Sequence, residues 1–496
     1  MSVWRVKPVS AFEADMKKND LKRVLTKWGL TSLGIGAIIG GGIFTLTGIA
    51  AHDYAGPALA LSFIIAGIGC LFASLCYAEF ASVLPVEGSA YAYAYGTVGE
   101  LFAWFIGWNL ILEYMMGATT VAVAWSGYFV KFLHLCHVDF PIWLCNDLAT
   151  ATEKSLAAGL PAPGFAFNLP AFLITWIVTA ILVKGIKEAA STNNIIVILK
   201  ILVVLFVIFV GAFYINTDNW KPFIPEKVPV LGEHGEATGK FNFGFGGVLT
   251  AATIVFFAYI GFDAVSTQAG EAINPKKDVP FAIVASLIIC TLLYILVSLV
   301  LTGMVKYDQL DKAAPVASAF SGIGINWAVF IITLAATAGL TSVMLVMMLG
   351  QTRIFLGMAK DGLLPKFFRT LHPKFKTPHK STILVGAIIS FVAALTPIEK
   401  VSEMCSMGTL LAFAMVCVAV MILRFKKPEL ERPYRTPAVY LVGTLGVAFN
   451  IFLMYFVRKD TWIAFLIWGA IGITVYFLYS KWNSNLQKAD GEISED

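Results

Sequence analysis

The sequence predicts an all-α membrane protein of twelve transmembrane helices. Three observations predict it: an apolar composition, the regular recurrence of long apolar runs, and the gathering of charge between them. Of the 496 residues, 58% are hydrophobic and 14% charged, with a mean hydropathy of +0.78. A soluble domain is nearer half apolar and a quarter charged. The surplus is what a bundle spanning lipid requires, because its charges must stay in loops and at the termini. A net charge of +5 would also suit a nucleic-acid partner. The Lys and Arg residues flank apolar runs, however, where membrane topology accounts for them, so nucleic acid is set aside.

Runs of about 20 apolar residues place the spans near 29–51, 57–84, 97–131, 168–185, 191–214, 247–269, 280–304, 324–357, 381–396, 404–424, 438–457 and 461–480. Twelve crossings return both termini to one side. That side carries 24 Lys and Arg against 10 on the other, so both termini are expected in the cytoplasm and the protein in the cell (inner) membrane. The basic opening stretch lacks an apolar core with a cleavage site, and the first span is expected to serve as its own insertion signal. The organisation is then a cytoplasmic segment 1–28, five spans in 29–214, five more with their preceding outer loop in 215–424, two spans in 425–480, and a cytoplasmic tail 481–496 that reads as disordered from Asn483.

The first and sixth spans share an interruption, one as Gly34-Ile35-Gly36-Ala37-Ile38-Ile39-Gly40-Gly41-Gly42 and the other as Phe256-Phe257-Ala258-Tyr259-Ile260-Gly261-Phe262. Paired broken spans in matching positions of two halves point to an inverted-repeat transporter with its site at mid-membrane. The spacings agree: Gly40 to Gly261 is 221 residues, and Pro57 to Pro280 and Gly99 to Gly322 are each 223, with each proline opening the following span. Five spans per half invert the second half, leaving spans eleven and twelve as an appendage.

A helix broken inside lipid exposes N–H and C=O groups that cost several kcal/mol when unpaired (~2–7). An amino acid satisfies both kinds. Its carboxylate can accept from amides at Gly40, Gly41 and Gly42, beside Ile38, while its ammonium can donate to carbonyls near Phe257, Ala258 and Ile260. Glycine allows a ligand to approach the backbone, although the same glycines also suit close helix packing.

At these residues the sequence resembles the amino acid–polyamine–organocation superfamily, with the leucine-transporter fold, and within it the bacterial relatives of the cationic amino acid transporters. The resemblance lies in LGIGAIIGGGIFTLTG (33–48), AGPALALSFIIAG and CYAEFASVLPVEGSAYAYAY (within 55–95), GWNLILEY (107–114), VFFAYIGFDAVST (255–267), NPKKDVP (274–280) and GQTRIFLGMAKDGLLPKFF (350–368). It implies a 5+5 inverted repeat with broken helices 1 and 6. Many relatives carry a hydroxyl between the two glycines of the first break; Gly41 stands there in this chain, which leaves carboxylate capture to the backbone.

Several charges are embedded. Lys200 falls about nine residues into the fifth span, close to mid-membrane, where burial penalises its ammonium and proton exchange during turnover is expected. The resemblance implies that it takes the place of a sodium ion between the first and fifth spans. Glu113 lies midway along the third span and could accept from the substrate, from the first span or through water. The resemblance puts it near the site, with Tyr294 of the seventh span in the same network, and both are expected to take part in proton coupling with Lys200. Asp263 follows the second break and is expected to hold the broken helix by accepting from its free amides. Glu79 reads as a gate or a packing contact, and Phe257 and Tyr259 as gating aromatics or packing. Arg353 is far enough along the eighth span to reach cytoplasmic water. The resemblance places Met347 against the substrate's side chain, where a thioether favours small neutral substrates such as alanine.

His52 could sense pH at the outer end of the first span, and Cys136 and Cys145 share an outer loop where a disulfide is left open. No metal spacing and no nucleophile motif appears, so neither a cofactor, a metal nor an enzyme is expected. The expected partners are an amino acid, protons and the bilayer, with a small auxiliary subunit left open. The expected activity is proton-coupled uptake by alternating access. Cationic substrates, exchange, or an amino acid-sensing receptor are the alternatives.

Overall fold

A computed structural model describes residues 5–7, 25–83, 89–185, 189–231, 237–266, 272–375 and 377–487. Most of the basic opening stretch and residues 488–496 of the tail therefore lie outside the described residues, while residues 483–487, read as disordered, are instead packed: Ser484 donates to Glu100 and the Asn485 amide to Asp361 O at 3.0 Å. Among the described residues fifteen α-helices of seven or more residues carry the fold: α1 Lys27–Ile38, α2 Leu59–Val83, α3 Ser89–Tyr95, α4 Glu100–Leu135, α5 Leu148–Ala157, α6 Leu169–Lys184, α7 Ala189–Ala212, α8 Gly244–Val255, α9 Pro275–Met304, α10 Pro315–Gly322, α11 Asn326–Lys360, α12 His379–Leu395, α13 Ile398–Lys426, α14 Val439–Tyr455 and α15 Lys459–Val475. Among the described residues, seven helical stretches are long and apolar enough to cross a membrane, and four shorter apolar helices accompany them.

The first predicted span is indeed discontinuous. Thr26 caps α1 by accepting from the Gly29 amide at 3.2 Å, and α1 ends at Ile38, after which Ile39 turns extended. Helical structure resumes in wide turns over Gly42–Leu46, passes through Thr47–Ile49, and continues in wide turns over Ala50–Ala55. In the sixth predicted span α8 tightens into a 3₁₀ turn over Phe256–Tyr259 and is cut at Ile260, which is extended, and Gly261, whose φ of +118° suits glycine.

Two expectations need correction. The chain is not wholly helical: β1 Val228–Leu231 pairs antiparallel with β2 Ala237–Asn242. This hairpin lies in the connection between α7 and α8, where strand pairing satisfies the backbone. Pro57 does stand just ahead of α2, but Pro280 lies inside α9, because Pro275 takes the helix's first position and Asp278 accepts from the Asn274 amide at 3.2 Å.

The long helices pack in pairs that centre on the breaks. α4 packs against α11 and α13, α9 against α1 and α2, and α7 against α1, α9 and α11. The lipid-facing sides of α6, α7, α12, α14 and α15 carry exposed apolar residues such as Ile177, Leu202, Phe391, Leu441 and Leu466. Apolar residues exposed on the perimeter around a tightly packed centre are the inside-out signature of a protein solvated by lipid.

Candidate functional site

The end of α1 leaves carbonyls without intrahelical partners. Lys200, buried on α7, donates from Nζ to Gly36 O at 2.5 Å and to Ile39 O at 3.2 Å. Its stem lies against Gly339 of α11: a Cβ there would stand 2.8 Å from Lys200 Cγ, so the glycine makes the slot. Tyr294 of α9 places its hydroxyl 2.9 Å from both Ile38 O and Ala258 O, one carbonyl from each break. With one proton it donates to one of them at a time. The two breaks also touch directly. A Cβ on Gly42 would collide with the Ala258 backbone, and one on Gly261 would stand 2.9 Å from Ala37 O.

Between the breaks and α11 lies a small cavity with room for about one water. Of the eight residues expected to bind substrate, Ile38, Gly40, Gly41, Gly42, Phe257, Ile260 and Met347 line it. Ala258 does not, because its methyl and backbone pack on Gly42 and its carbonyl faces Tyr294. Ala37, Val121 and Val343 complete the lining and escaped the sequence reading. Val343 was detectable. It stands four residues before Met347, and the steps Gly339, Val343 and Met347 form one face of α11 that meets Lys200, Gly40 and the cavity in turn. Every lining side chain is apolar, so the polar groups of the cavity are backbone groups. Gly42 heads the resumed helix, whose first amides have no intrahelical acceptor.

The remaining predicted residues divide. Glu113 does not reach Tyr294. It is buried with neither carboxyl oxygen hydrogen-bonded among the described residues, beside Thr409, whose hydroxyl donates to Cys405 O, and close to Asp263. The cause is register: Gly117, one turn further along α4, already fills the level of Met347, at 3.5 Å from its Sδ measured from an added Cβ. Asp263 accepts from the Tyr114 hydroxyl at 3.3 Å and has the backbone of Gly261, Asp263 and Ala264 around its carboxylate, as its expected place at the break requires.

Glu79 is tied down rather than free. Arg424 grips it with two bonds of 2.6 and 2.8 Å, the Thr436 amide donates at 2.9 Å, and Arg432 stands 3.3 Å away. Tyr259 turns from the cavity, donating to Phe63 O at 2.7 Å. His52 bonds Asp53 at 2.6 Å, Arg353 is exposed, and Cys136 and Cys145 are free thiols. No group of three or more His, Cys, Asp or Glu residues is placed to hold a metal among the described residues.

Comparison with known proteins agrees with this geometry. The amino acid permease family model matches residues 25–477. The chain is 44% identical to the branched-chain amino acid permease BcaP of Bacillus subtilis (strain 168), over 98% of this chain and 99% of that one. It is 42% identical to the methylthioribose transporter of the same organism, over 98% and 100%. Against the vacuolar cationic amino acid transporter 4 of Arabidopsis thaliana it is 37% identical, over 83% of this chain and 66% of that one. Each of the three is a transporter. With nearly its whole length matched, the chain belongs to the amino acid permease family of the amino acid–polyamine–organocation superfamily, as a relative of the cationic amino acid transporters.

Proposed function

We propose that the protein takes up small to medium apolar L-amino acids across the inner membrane by alternating access, coupled to protons. The observation that carries this reading is the cavity where the two breaks meet, which pairs backbone polar groups with purely apolar side chains. An amino acid's two charged ends match the former and an aliphatic side chain matches the latter. A cationic substrate would leave its distal charge against Val121, Val343 and Met347, and a methylthioribose would find no side-chain partner for its hydroxyls. The cavity is too tight for an amino acid as it stands, so binding requires the lining helices to part, which suits alternating access.

The topology belongs to the same reading. The helices form twelve crossings with both termini in the cytoplasm, residues 29–214 and 215–424 are the two inverted halves, and 425–480 lies outside them. Lys200 is the coupling residue: protonated, it holds the Gly36 and Ile39 carbonyls, and on losing its proton it offers them fewer donors and frees α1 to move.

The test is a ligand-stabilisation screen of the purified protein over the common amino acids and methylthioribose. Alanine, valine, leucine and isoleucine should raise the melting temperature, and lysine and arginine should not. Stabilisation by methylthioribose alone, or by cationic amino acids, overturns the assignment. Met347→Ser should shift preference among these substrates by about tenfold, the order expected when apolar contacts worth roughly 1–3 kcal/mol are lost. An unchanged ranking removes Met347 from the pocket.

A further inference from the structure

Between Lys360 and Lys380, where the chain passes from α11 to α12, the sequence holds six Lys and Arg and one acid, Asp361. Membrane topology accounts for cations beside a span, but not for the apolar residues set among them. Lys366, Arg369, Lys374 and Lys380 are exposed, and so are Phe367, Leu371 and Phe375. Three large apolar side chains exposed so close together mark a surface that something apolar covers.

The stretch is folded and fixed to the helices on either side. Phe368 packs on Phe355 of α11, with ring centroids 4.6 Å apart, and the Thr377 hydroxyl donates to Val183 O near the end of α6 at 2.7 Å. The His372 amide donates to Thr377 O at 2.7 Å, while His372 Nδ1 accepts from the Lys374 and Phe375 amides at 3.1 and 3.2 Å. Lys380 Nζ lies 6.0 Å from the centre of the Phe367 ring, so the two ends of the stretch meet. The bond to Val183 brings the exposed Lys184 to the same place.

Elsewhere in the molecule cations are engaged: Arg424 and Arg432 stand on the buried Glu79, and Lys7 meets Asp361 at 3.0 Å. Lys366, Arg369, Lys374 and Lys380 form no ion pair among the described residues. Past Lys380 the exposed apolar surface continues, because Ile383 and Leu384, three and four residues on, share its side of α12. Ile181 stands in the same relation to Lys184 on α6. Free cations that lead directly onto exposed aliphatic side chains match an anionic headgroup joined to acyl chains.

We propose that this stretch docks an anionic phospholipid of the surrounding bilayer, with the phosphate among the four cations, the acyl chains along Ile383 and Leu384, and Phe367, Leu371 and Phe375 in the interface. The bound lipid joins the ends of α6, α11 and α12. Through Phe368 it steadies α11, the helix that brings Val343 and Met347 to the cavity.

The test uses the full chain purified in a neutral detergent, with phosphatidylglycerol or phosphatidylcholine added in equal amounts. Phosphatidylglycerol should raise the melting temperature more than phosphatidylcholine does, and native mass spectrometry should find it retained in preference. A cation at a membrane surface is worth about fivefold in affinity. Lys366→Gln, Arg369→Gln, Lys374→Gln and Lys380→Gln combined should therefore cut the retention by at least about tenfold and erase the difference between the two lipids. These side chains are exposed and outside the core, so the variant should fold. A control replaces four exposed lysines elsewhere, Lys221, Lys306, Lys400 and Lys459, by glutamine and should keep both effects. Equal stabilisation of the wild type by the two lipids overturns the proposal. So does an equal loss in the control, which would reduce the effect to net charge. Stabilisation reproduced by inorganic phosphate at the same concentration also overturns it, because the patch would then bind anions without needing the lipid.

Discussion

The two helix breaks solve one problem in different ways. In the first, the exposed carbonyls of Gly36 and Ile39 are met by the ammonium of Lys200, a donor from another helix that can lose a proton. In the second, Ala258 O is met by the neutral hydroxyl of Tyr294, and Gly261 closes the turn with a backbone conformation that suits glycine. On the proposed reading the closure of the first break can be switched by a proton, while the Ala258 carbonyl of the second is met by a hydroxyl that carries no charge. Their contact through Gly42 and Ala258 makes a change at one felt at the other.

The most severe way to break this asymmetry is Lys200→Met, which keeps a long apolar stem in the Gly339 slot but removes the donor. Two buried carbonyls lose their partner, at roughly 1–3 kcal/mol each. Uptake in liposomes should fall to background, and the purified protein should melt at a lower temperature. Retained proton-driven uptake would show that the first break is no more switchable than the second. Tyr294→Phe is the milder counterpart, because it removes one hydroxyl that serves both breaks in turn. A cost of about 1–2 kcal/mol should appear as roughly tenfold weaker amino acid binding with the pH dependence of uptake unchanged. A shifted pH dependence would mean that the tyrosine belongs with the switchable closure.

This division was only partly legible in the sequence. The breaks announced themselves because two apolar spans are interrupted by glycine at a spacing of 221 residues, and Lys200 because a charge at mid-membrane needs a partner. What the partners are was not readable. Lys200 meets carbonyls 164 and 161 residues away, and Tyr294 reaches Ile38 from 256 residues away. Such pairings are set by how helices pack, which local pattern does not encode. The misplacement of Glu113 has the same origin. A difference of one turn against α11 decides whether it faces the cavity or Asp263. Gly339 was missed for a simpler reason: small residues on a transmembrane helix look alike whether they face lipid, a helix or a ligand, whereas Val343 was readable through its four-residue spacing from Met347.

The smallest effect concerns the C-terminal end of the first broken helix, beyond its apolar run, where Asp53 fixes it to the loop before α10. Asp53 meets Lys312 at 3.0 Å, and Lys312 also bonds Glu153 of α5 at 3.0 Å. Burial pushes the Asp53 carboxyl up, but the bond from His52 and the charge and bond of Lys312 outweigh it and hold the group below its usual value. A carboxyl depressed in the folded state adds stability that is fully present above its unfolded value, near 3.9, and is lost as pH falls through the folded one. Asp53→Asn should therefore cost about 1 kcal/mol at neutral pH, the scale of a half-exposed ion pair. The difference in melting temperature from the wild type should shrink once the pH drops below the ordinary aspartate range. If the outer half of the first span moves as one body with α1, the same substitution should also ease outward opening, read as faster exchange of external for internal substrate. An unchanged exchange rate would confine the mobility of the first break to its Lys200 side.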